Sequence, residues 1–193
     1  MADPALHLLA GPNGSGKTTF YERVLLPVTN LGFVNADLIA AANWPGAEAE
    51  HAYEASALAA EQRNRLIAER VSFATETVFS HPSKLELLAT AAAAGYLVTL
   101  HVVAVPVELA VARVVERVGH GGHSVPEHKV RERYDRLWGY VRQAIDLVDA
   151  AHVYDNSRAA TPYREIARYR DGTLVGSADW PPWIPDELRS FDG

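Results

Sequence analysis

The chain of 193 residues contains no cysteine. That absence excludes a disulfide framework, thiol catalysis and cysteine-ligated zinc, and it is compatible with a reducing compartment. Excess positive charge is missing too. The formal net charge is −6, which argues against non-specific nucleic-acid binding. No apolar run approaches the ~20 residues that a membrane span needs. The longest, over residues 96–110, is broken by His101, Pro106 and Glu108. The first ten residues lack the basic start of a secretory leader. The expectation is therefore a cytoplasmic protein whose partners include neither nucleic acid nor membrane. There is no internal repeat, no low-complexity tract and no Pro/Gly/Ser linker, so we expect one domain over residues 1–193. With 48% hydrophobic residues, it has enough apolar material to fold without staples.

The charge that is present is uneven. Residues 113–142 hold seven Lys/Arg against four Asp/Glu, a local +3 that leaves −9 on the remainder. A basic segment on an acidic chain is a place for an anion to sit.

Hydrophobic patterning alternates between strand and helix. Apolar runs predict strands over residues 5–10, 31–35, 71–75, 96–105 and 151–154. Helical spacing predicts helices over 17–26 (ending before Pro27), 47–70, 80–94 and 107–118. A glycine-rich loop follows at 119–124. Ser124-Val125-Pro126-Glu127 reads as a capping box opening a helix to about residue 150. Asp171-Gly172 predicts a hairpin turn between strands at 166–170 and 173–175. Alternation of this kind implies an α/β fold with a mostly parallel, five-stranded core sheet covered by helices on both faces. Ligands bind beyond the carboxyl ends of such strands, so the residues just after each strand carry the chemical information.

After the first strand comes Gly11-Pro12-Asn13-Gly14-Ser15-Gly16-Lys17-Thr18-Thr19, a complete G-x-x-x-x-G-K-S/T P-loop between a strand and a helix. Its glycines let backbone N–H groups converge on phosphate oxygens, and the helix N-terminus adds partial positive charge. Lys17 is placed to reach the β- and γ-phosphates and the Thr18 hydroxyl to ligate Mg²⁺. The base-reading N-K-x-D of GTPases is absent, which favours ATP.

Asp37 follows the second strand. It suits a base that takes the proton of an acceptor hydroxyl, though an Asp there can also cap the next helix or hold a Mg²⁺-bound water. Glu76 and Thr77 follow the third strand. Glu76 can hold Mg²⁺ through water, bind a substrate hydroxyl or stand as a solvated loop carboxylate, and Thr77 can hydrogen-bond a substrate. Arg113, Arg117, Arg131 and Arg133 flank the glycine-rich loop. Each can meet phosphate oxygens or form i,i+4 pairs on a solvated face, with Glu116, Glu127 and Asp135 as partners. The segment over about 113–136 reads as a lid. His120, His123 and His128 lack the further ligands of a zinc site, and His123 reads as a loop-anchoring or phosphate-side residue. His101 reads as core. Asn156, after the fifth strand, can contact adenine or form an Asx turn.

These elements in this order, Gly11 to Thr18, Phe33-Val34-Asn35-Ala36-Asp37, Glu76-Thr77, Arg113 to Arg117, Gly121-Gly122-His123-Ser124-Val125-Pro126, Arg131-Glu132-Arg133-Tyr134 and Tyr154 to Ser157, resemble the zeta toxin family, and in particular its compact branch of P-loop kinases. The resemblance covers roughly residues 5–175. It implies a P-loop kinase fold and ATP-dependent phosphorylation of the sugar 3′-hydroxyl of UDP-N-acetylglucosamine or a related sugar nucleotide. By resemblance Asp37 matches the base, and Lys17 and Thr18 match the ATP and Mg²⁺ residues. Glu76 and Thr77 match the sugar-nucleotide side, and Arg117, Arg131 and Arg133 fall where lid arginines act. A protein antitoxin is the implied partner. The competing expectations are a metabolic or resistance kinase for another small hydroxyl compound, and an ATP-driven protein-binding switch.

Overall fold

The strand β1 (Ala5–Ala10) runs through the middle of the sheet and delivers the P-loop at its end. The computed structural model describes residues 3–119 and 125–189, with the backbone alone for Val118 and Gly119. His120, His123 and the Ser124 capping position therefore lie outside the described residues. After the P-loop come α1 (Lys17–Phe20), a π-helical stretch at Tyr21–Leu25 and α2 (Leu26–Thr29). Then follow β2 (Gly32–Val34), α3 (Ala36–Asn43), α4 (Ala52–Ala68), β3 (Phe73–Thr77), α5 (Ser83–Ala93) and β4 (Leu97–Ala104). The chain continues with α6 (Val107–Gly119), α7 (Glu127–Ile145), β5 (Ala150–Asp155), β6 (Arg164–Arg170), β7 (Thr173–Leu174) and α8 (Asp186–Arg189).

The sheet has seven strands in the order β2-β3-β1-β4-β5-β6-β7, not five. The first five are mutually parallel, as expected, while β6 and β7 add antiparallel. The extension follows from the turn chemistry. Asp171 and Gly172 both take positive φ, 48° and 73°, the conformation of a tight hairpin whose twist matches its strands. The hairpin packs onto β5 because Ile166, Ala167 and Tyr169 have buried side chains.

A second difference concerns Pro27, where the first helix was expected to stop. The chain stays helical to Thr29. Proline cannot donate to the carbonyl four residues back and its ring crowds that turn. The wider π stretch lies immediately before it, and such a bulge removes the demand for the missing bond. The helix expected over 47–70 begins only at Ala52, and the one expected to open at Ser124 begins at Glu127 after Pro126.

The period of two along the strands sends alternate residues to two cores. Leu6, Leu8 and Ala10 of β1 and Val98, Leu100 and Val102 of β4 face a large cluster with Ala59, Leu88, Leu137, Trp138 and Val141 from α4, α5 and α7. Leu9, Ala74 and Val103 face Phe20, Tyr21 and Leu25 of the first helical stretch. On that second face His7, His101 and His152 form a row across three strands. The His7 and His101 rings stack with centroids 5.2 Å apart and His101 and His152 at 5.7 Å. His101 is in the core as expected, 6% exposed. No helix among the described residues is long and apolar enough to cross a membrane.

Candidate active site at the carboxyl ends of the strands

The five parallel strands end on one side of the sheet, and residues leaving β1, β2 and β3, with others from α4 to α7, line a cleft of about 710 Å³. The P-loop forms one wall. Gly11 and Gly16 have φ of 151° and 94°, and a Cβ on either would lie 2.3 Å from the Val103 carbonyl oxygen or 2.7 Å from Asn156 Nδ2. The tight turn around a phosphate-sized space therefore depends on residues without side chains. Inside the loop, Asn13 Oδ1 and Ser15 Oγ are buried without a hydrogen-bond partner. A buried polar atom is costly until something satisfies it, and a polyphosphate with its hydration fits that need. Lys17 donates from Nζ to the carbonyls of Gly11 at 3.1 Å and Pro12 at 2.9 Å. Burial pulls its ammonium below the usual range, partly opposed by Glu76 and then Asp37, while Arg117 pushes the same way as burial.

The loop is clamped from behind. Asn156 donates from Nδ2 to the Ser15 carbonyl at 2.8 Å and from its backbone N–H to Ala104 at 3.0 Å. Arg113 donates to the Asn156 carbonyl at 3.1 Å, and the Tyr163 hydroxyl donates to the Gly16 carbonyl at 3.0 Å. The side chain considered as an adenine contact thus holds the phosphate loop. Its partner Ser15 lies 141 residues away in sequence, so no local pattern announces the bond.

The β1–β3 register sets Leu9 opposite Glu76 and Ala10 opposite Thr77. That brings Glu76 to the start of α1, where its Oε2 accepts a hydrogen bond from Thr18 Oγ1 at 2.8 Å. A threonine hydroxyl and a carboxylate at the foot of a P-loop are hard oxygen ligands of the kind Mg²⁺ takes, so Thr18 and Glu76 fit the ion. Burial raises the Glu76 carboxyl above its usual range, opposed by Lys17 and by the Thr18 hydrogen bond. Asp37 and Arg117 are also close enough to act on Glu76, so the structure brings Lys17, Asp37, Glu76 and Arg117 into one electrostatic neighbourhood.

Asp37 is not the cap of α3. Asn35 holds that position, its Oδ1 accepting from the backbone N–H of Asp37 at 2.7 Å and of Leu38 at 3.2 Å. The Asp37 carboxylate is left exposed on the cleft wall in the first turn of the helix. Thr77 also lines the cleft, while its Oγ1 accepts from the Phe79 backbone N–H at 3.2 Å.

The arginines separate. Arg113, Arg117 and Arg133 line the cleft. Arg131 does not. It pairs with both oxygens of Glu108 at 2.7 and 2.8 Å and with Glu127 at 2.9 Å, tying α7 to α6 on an exposed face. The solvated-pair alternative describes Arg131, with Glu108 as a partner that helical spacing alone did not suggest. Sequence reasoning missed several cleft residues, among them Ser56, Arg63, Ser80, Lys84 and Lys129. The one available signal is helical phase, since Ser56 and Arg63 are seven apart and share a face of α4. His128 is exposed on α7, and among the described residues no group of three His, Cys, Asp or Glu is arranged to hold a metal.

The model of the zeta toxin family matches residues 1–167, from before β1 into β6. No curated protein matches the chain. Among solved structures, a chain of the AvrRxo1-ORF1:-ORF2 complex with ATP superposes with a TM-score of 0.72 at 18% identity, covering 90% of this chain and 60% of that one. The present chain thus spans 60% of that relative's length. A chain of the PezAT toxin–antitoxin system of Streptococcus pneumoniae gives 0.62 at 15% identity, covering 99% and 79%. Shikimate kinase from Acinetobacter baumannii gives 0.54 at 19% identity, covering 81% and 86%. At these identities the likeness is one of fold, that of the P-loop kinases.

Proposed function

The chain belongs to the zeta toxin family, and from that premise we propose that it is an ATP-dependent kinase that transfers the γ-phosphate to a hydroxyl of a small molecule. The acceptor we favour is UDP-N-acetylglucosamine or a related sugar nucleotide. The observation that carries the reading is the pairing of a complete phosphate cradle with a carboxylate that has no structural duty. Lys17, Thr18 and Glu76 converge at the foot of the P-loop, and Asp37 faces the same cleft because Asn35 has taken over the cap. Phosphoryl transfer to a hydroxyl uses both parts, the cradle to hold the phosphates and the carboxylate to take the proton.

In this reading the P-loop backbone and Lys17 hold the β- and γ-phosphates, and Asn156, Arg113 and Tyr163 keep the loop in shape. Thr18 and Glu76 would hold Mg²⁺, which when bound neutralises and orients the phosphate oxygens. Asp37 accepts the proton of the acceptor hydroxyl as that oxygen bonds to the γ-phosphorus and ADP leaves. Arg117 and Arg133, which line the cleft, stabilise negative charge on the transferring group. Thr77, which also lines the cleft, is assigned to the acceptor by its match to the family's sugar-nucleotide residues. By analogy with the AvrRxo1-ORF1:-ORF2 and PezAT assemblies, a protein antitoxin is the partner we propose.

The test is mass spectrometry of UDP-N-acetylglucosamine after incubation with the protein and Mg-ATP. A product heavier by one phosphoryl group supports the assignment. An unmodified sugar nucleotide alongside a phosphorylated compound from a metabolite panel would keep the kinase and replace the acceptor.

A further inference from the structure

The helices α4 and α5 bring to the cleft two cations that the proposed phosphoryl transfer does not use. Arg63 lies on the inner face of α4 and is only 9% exposed. Lys84 lies in the first turn of α5 and is half-buried. Both line the cleft, with Ser56 and Ser80 beside them. They are close enough for Arg63 to depress the Lys84 ammonium, although burial is the larger cause. Neither side chain has a hydrogen-bond or ion-pair partner among the described residues.

That arrangement is unfavourable in the absence of a ligand. A buried guanidinium pays for its lost hydration unless an acceptor replaces the water. A second cation nearby adds repulsion. Lys84 also sits at the positive end of α5, where a helix stabilises anions and opposes cations. The sequence offers simple ways to relieve this, since a carboxylate at position 56 or 80 would face the same space; both are serines. The other α4 residues on the cleft wall, Ala52 and Ser56, are small.

The connection between β3 and α5 borders the same space. Phe79 adopts φ of 65° with its side chain fully buried. A left-handed conformation is rare for an aromatic residue and persists only when its surroundings enforce it. The buried ring anchors the turn, and the flanking Val78 and Ser80 are left on the cleft wall.

We propose that Arg63 and Lys84 form a specificity subsite for an anionic group on the acceptor, a carboxylate or a phosphate ester, with Ser80 and Ser56 as additional donors. The assignment rests on the kinase reading for the word acceptor, but the anion site itself does not. Under it, acceptors carrying a negative charge several bonds from the reacting hydroxyl are preferred to neutral sugars and alcohols. Asp37 and the P-loop line the same cleft as Arg63 and Lys84, so an acceptor held there by its charged end can still present a hydroxyl to Asp37.

The test is nitrogen-resolved NMR of the full chain with the P-loop saturated by a non-hydrolysable ATP analogue and Mg²⁺. Inorganic phosphate and malonate serve as separate probes for the two anion chemistries. The expected result is a saturable shift of the Arg63 Nε–Hε signal and of the Ser80 and Lys84 amides. Binding should weaken at least tenfold in Lys84→Gln and in Arg63→Gln, while affinity for the ATP analogue holds. Arg63→Lys, which keeps charge but loses the fork, should fall between. Phosphate alone binding would assign a phosphate ester, and malonate alone a carboxylate. No saturable shift with either probe, or equal binding in the wild type and Lys84→Gln, overturns the proposal whether or not the protein proves to be a kinase. A lack of transfer to every acceptor, with the anion shifts intact, would overturn the kinase reading and leave the subsite standing.

Discussion

The Thr18 hydroxyl donates to Glu76 Oε2 at 2.8 Å, joining the start of the P-loop helix to the end of β3 across 58 residues of sequence. The bond holds side by side the two oxygen groups proposed to take Mg²⁺. Replacing Glu76 by Gln keeps a hydrogen bond to Thr18 but removes the charge that Mg²⁺ needs. The apparent Mg²⁺ affinity, read from a magnesium titration of ATP-analogue binding, should fall about 10- to 100-fold or more. Thr18→Ala should act in the same direction. Unchanged magnesium dependence in both variants would remove Glu76 from the ion site.

Asn35 connects stability to chemistry. Its side chain accepts from two backbone N–H groups at the start of α3. Asn35→Ala should cost about 1 kcal/mol, seen as a melting temperature lower by about 2–4 °C. It should also reduce turnover more than it reduces ATP affinity, because Asp37 is the second residue of the helix that frays. A stability loss with turnover intact would mean that Asp37 needs no such positioning.

The arginines should divide by location. Arg117→Ala and Arg133→Ala should each lower turnover by about 10²-fold or more, as loss of a donor to a transferring group does. Arg131→Ala, whose exposed pairs with Glu108 and Glu127 lie off the cleft, should change it less than about threefold. Steady-state kinetics of the three variants checks this, and a large effect confined to Arg131 would reverse the assignment.

How much of this was open to sequence reasoning depended on where the deciding contact lies. The P-loop is contiguous, so Gly11 to Thr19 could be read directly, and the strand-end rule pointed to Asp37 and Glu76. The first five strands were legible because each is an apolar run bounded by turn residues. Contacts made in three dimensions were not. Glu108 meets Arg131 from 23 residues away, which turned a candidate phosphate ligand into a surface pair. Arg63 and Lys84 looked like ordinary charges on helices, and only the packing of α4 and α5 beside the strand ends brings them together. The hairpin at Asp171-Gly172 was predicted locally, but its addition to the sheet depends on the burial of Ile166 and Tyr169 against elements far away in sequence. Pro27 misled because a π stretch upstream absorbs its missing N–H.

The histidine row supplies a pH dependence. Burial, with smaller contributions from His7 and His152, lowers His101 from 6.5 to about 3, and burial followed by His152 also lowers His7. Phe20 covers His101, Tyr154 stacks near it, and Glu165 accepts from His152. A histidine held neutral in the fold and free to protonate when unfolded favours unfolding as the pH falls. The stability that comes from keeping it neutral is complete above pH 6.5 and is lost between 6.5 and about 3. Each pH unit within that window removes up to about 1.4 kcal/mol per site. Denaturant unfolding at pH 7.5, 6 and 5 should show this decline, with a shallower one in His101→Gln. A flat profile would place a proton on the row in the folded state.

The most direct test of the central claim compares ADP release by the wild type and Asp37→Asn, with Mg-ATP present and with UDP-N-acetylglucosamine added or withheld. ATP-analogue affinity is measured alongside. The account predicts acceptor-stimulated release that falls by about 10²- to 10⁴-fold in Asp37→Asn, with nucleotide affinity nearly the same in both proteins. ATP hydrolysis indifferent both to the acceptor and to the loss of the Asp37 carboxylate would contradict it.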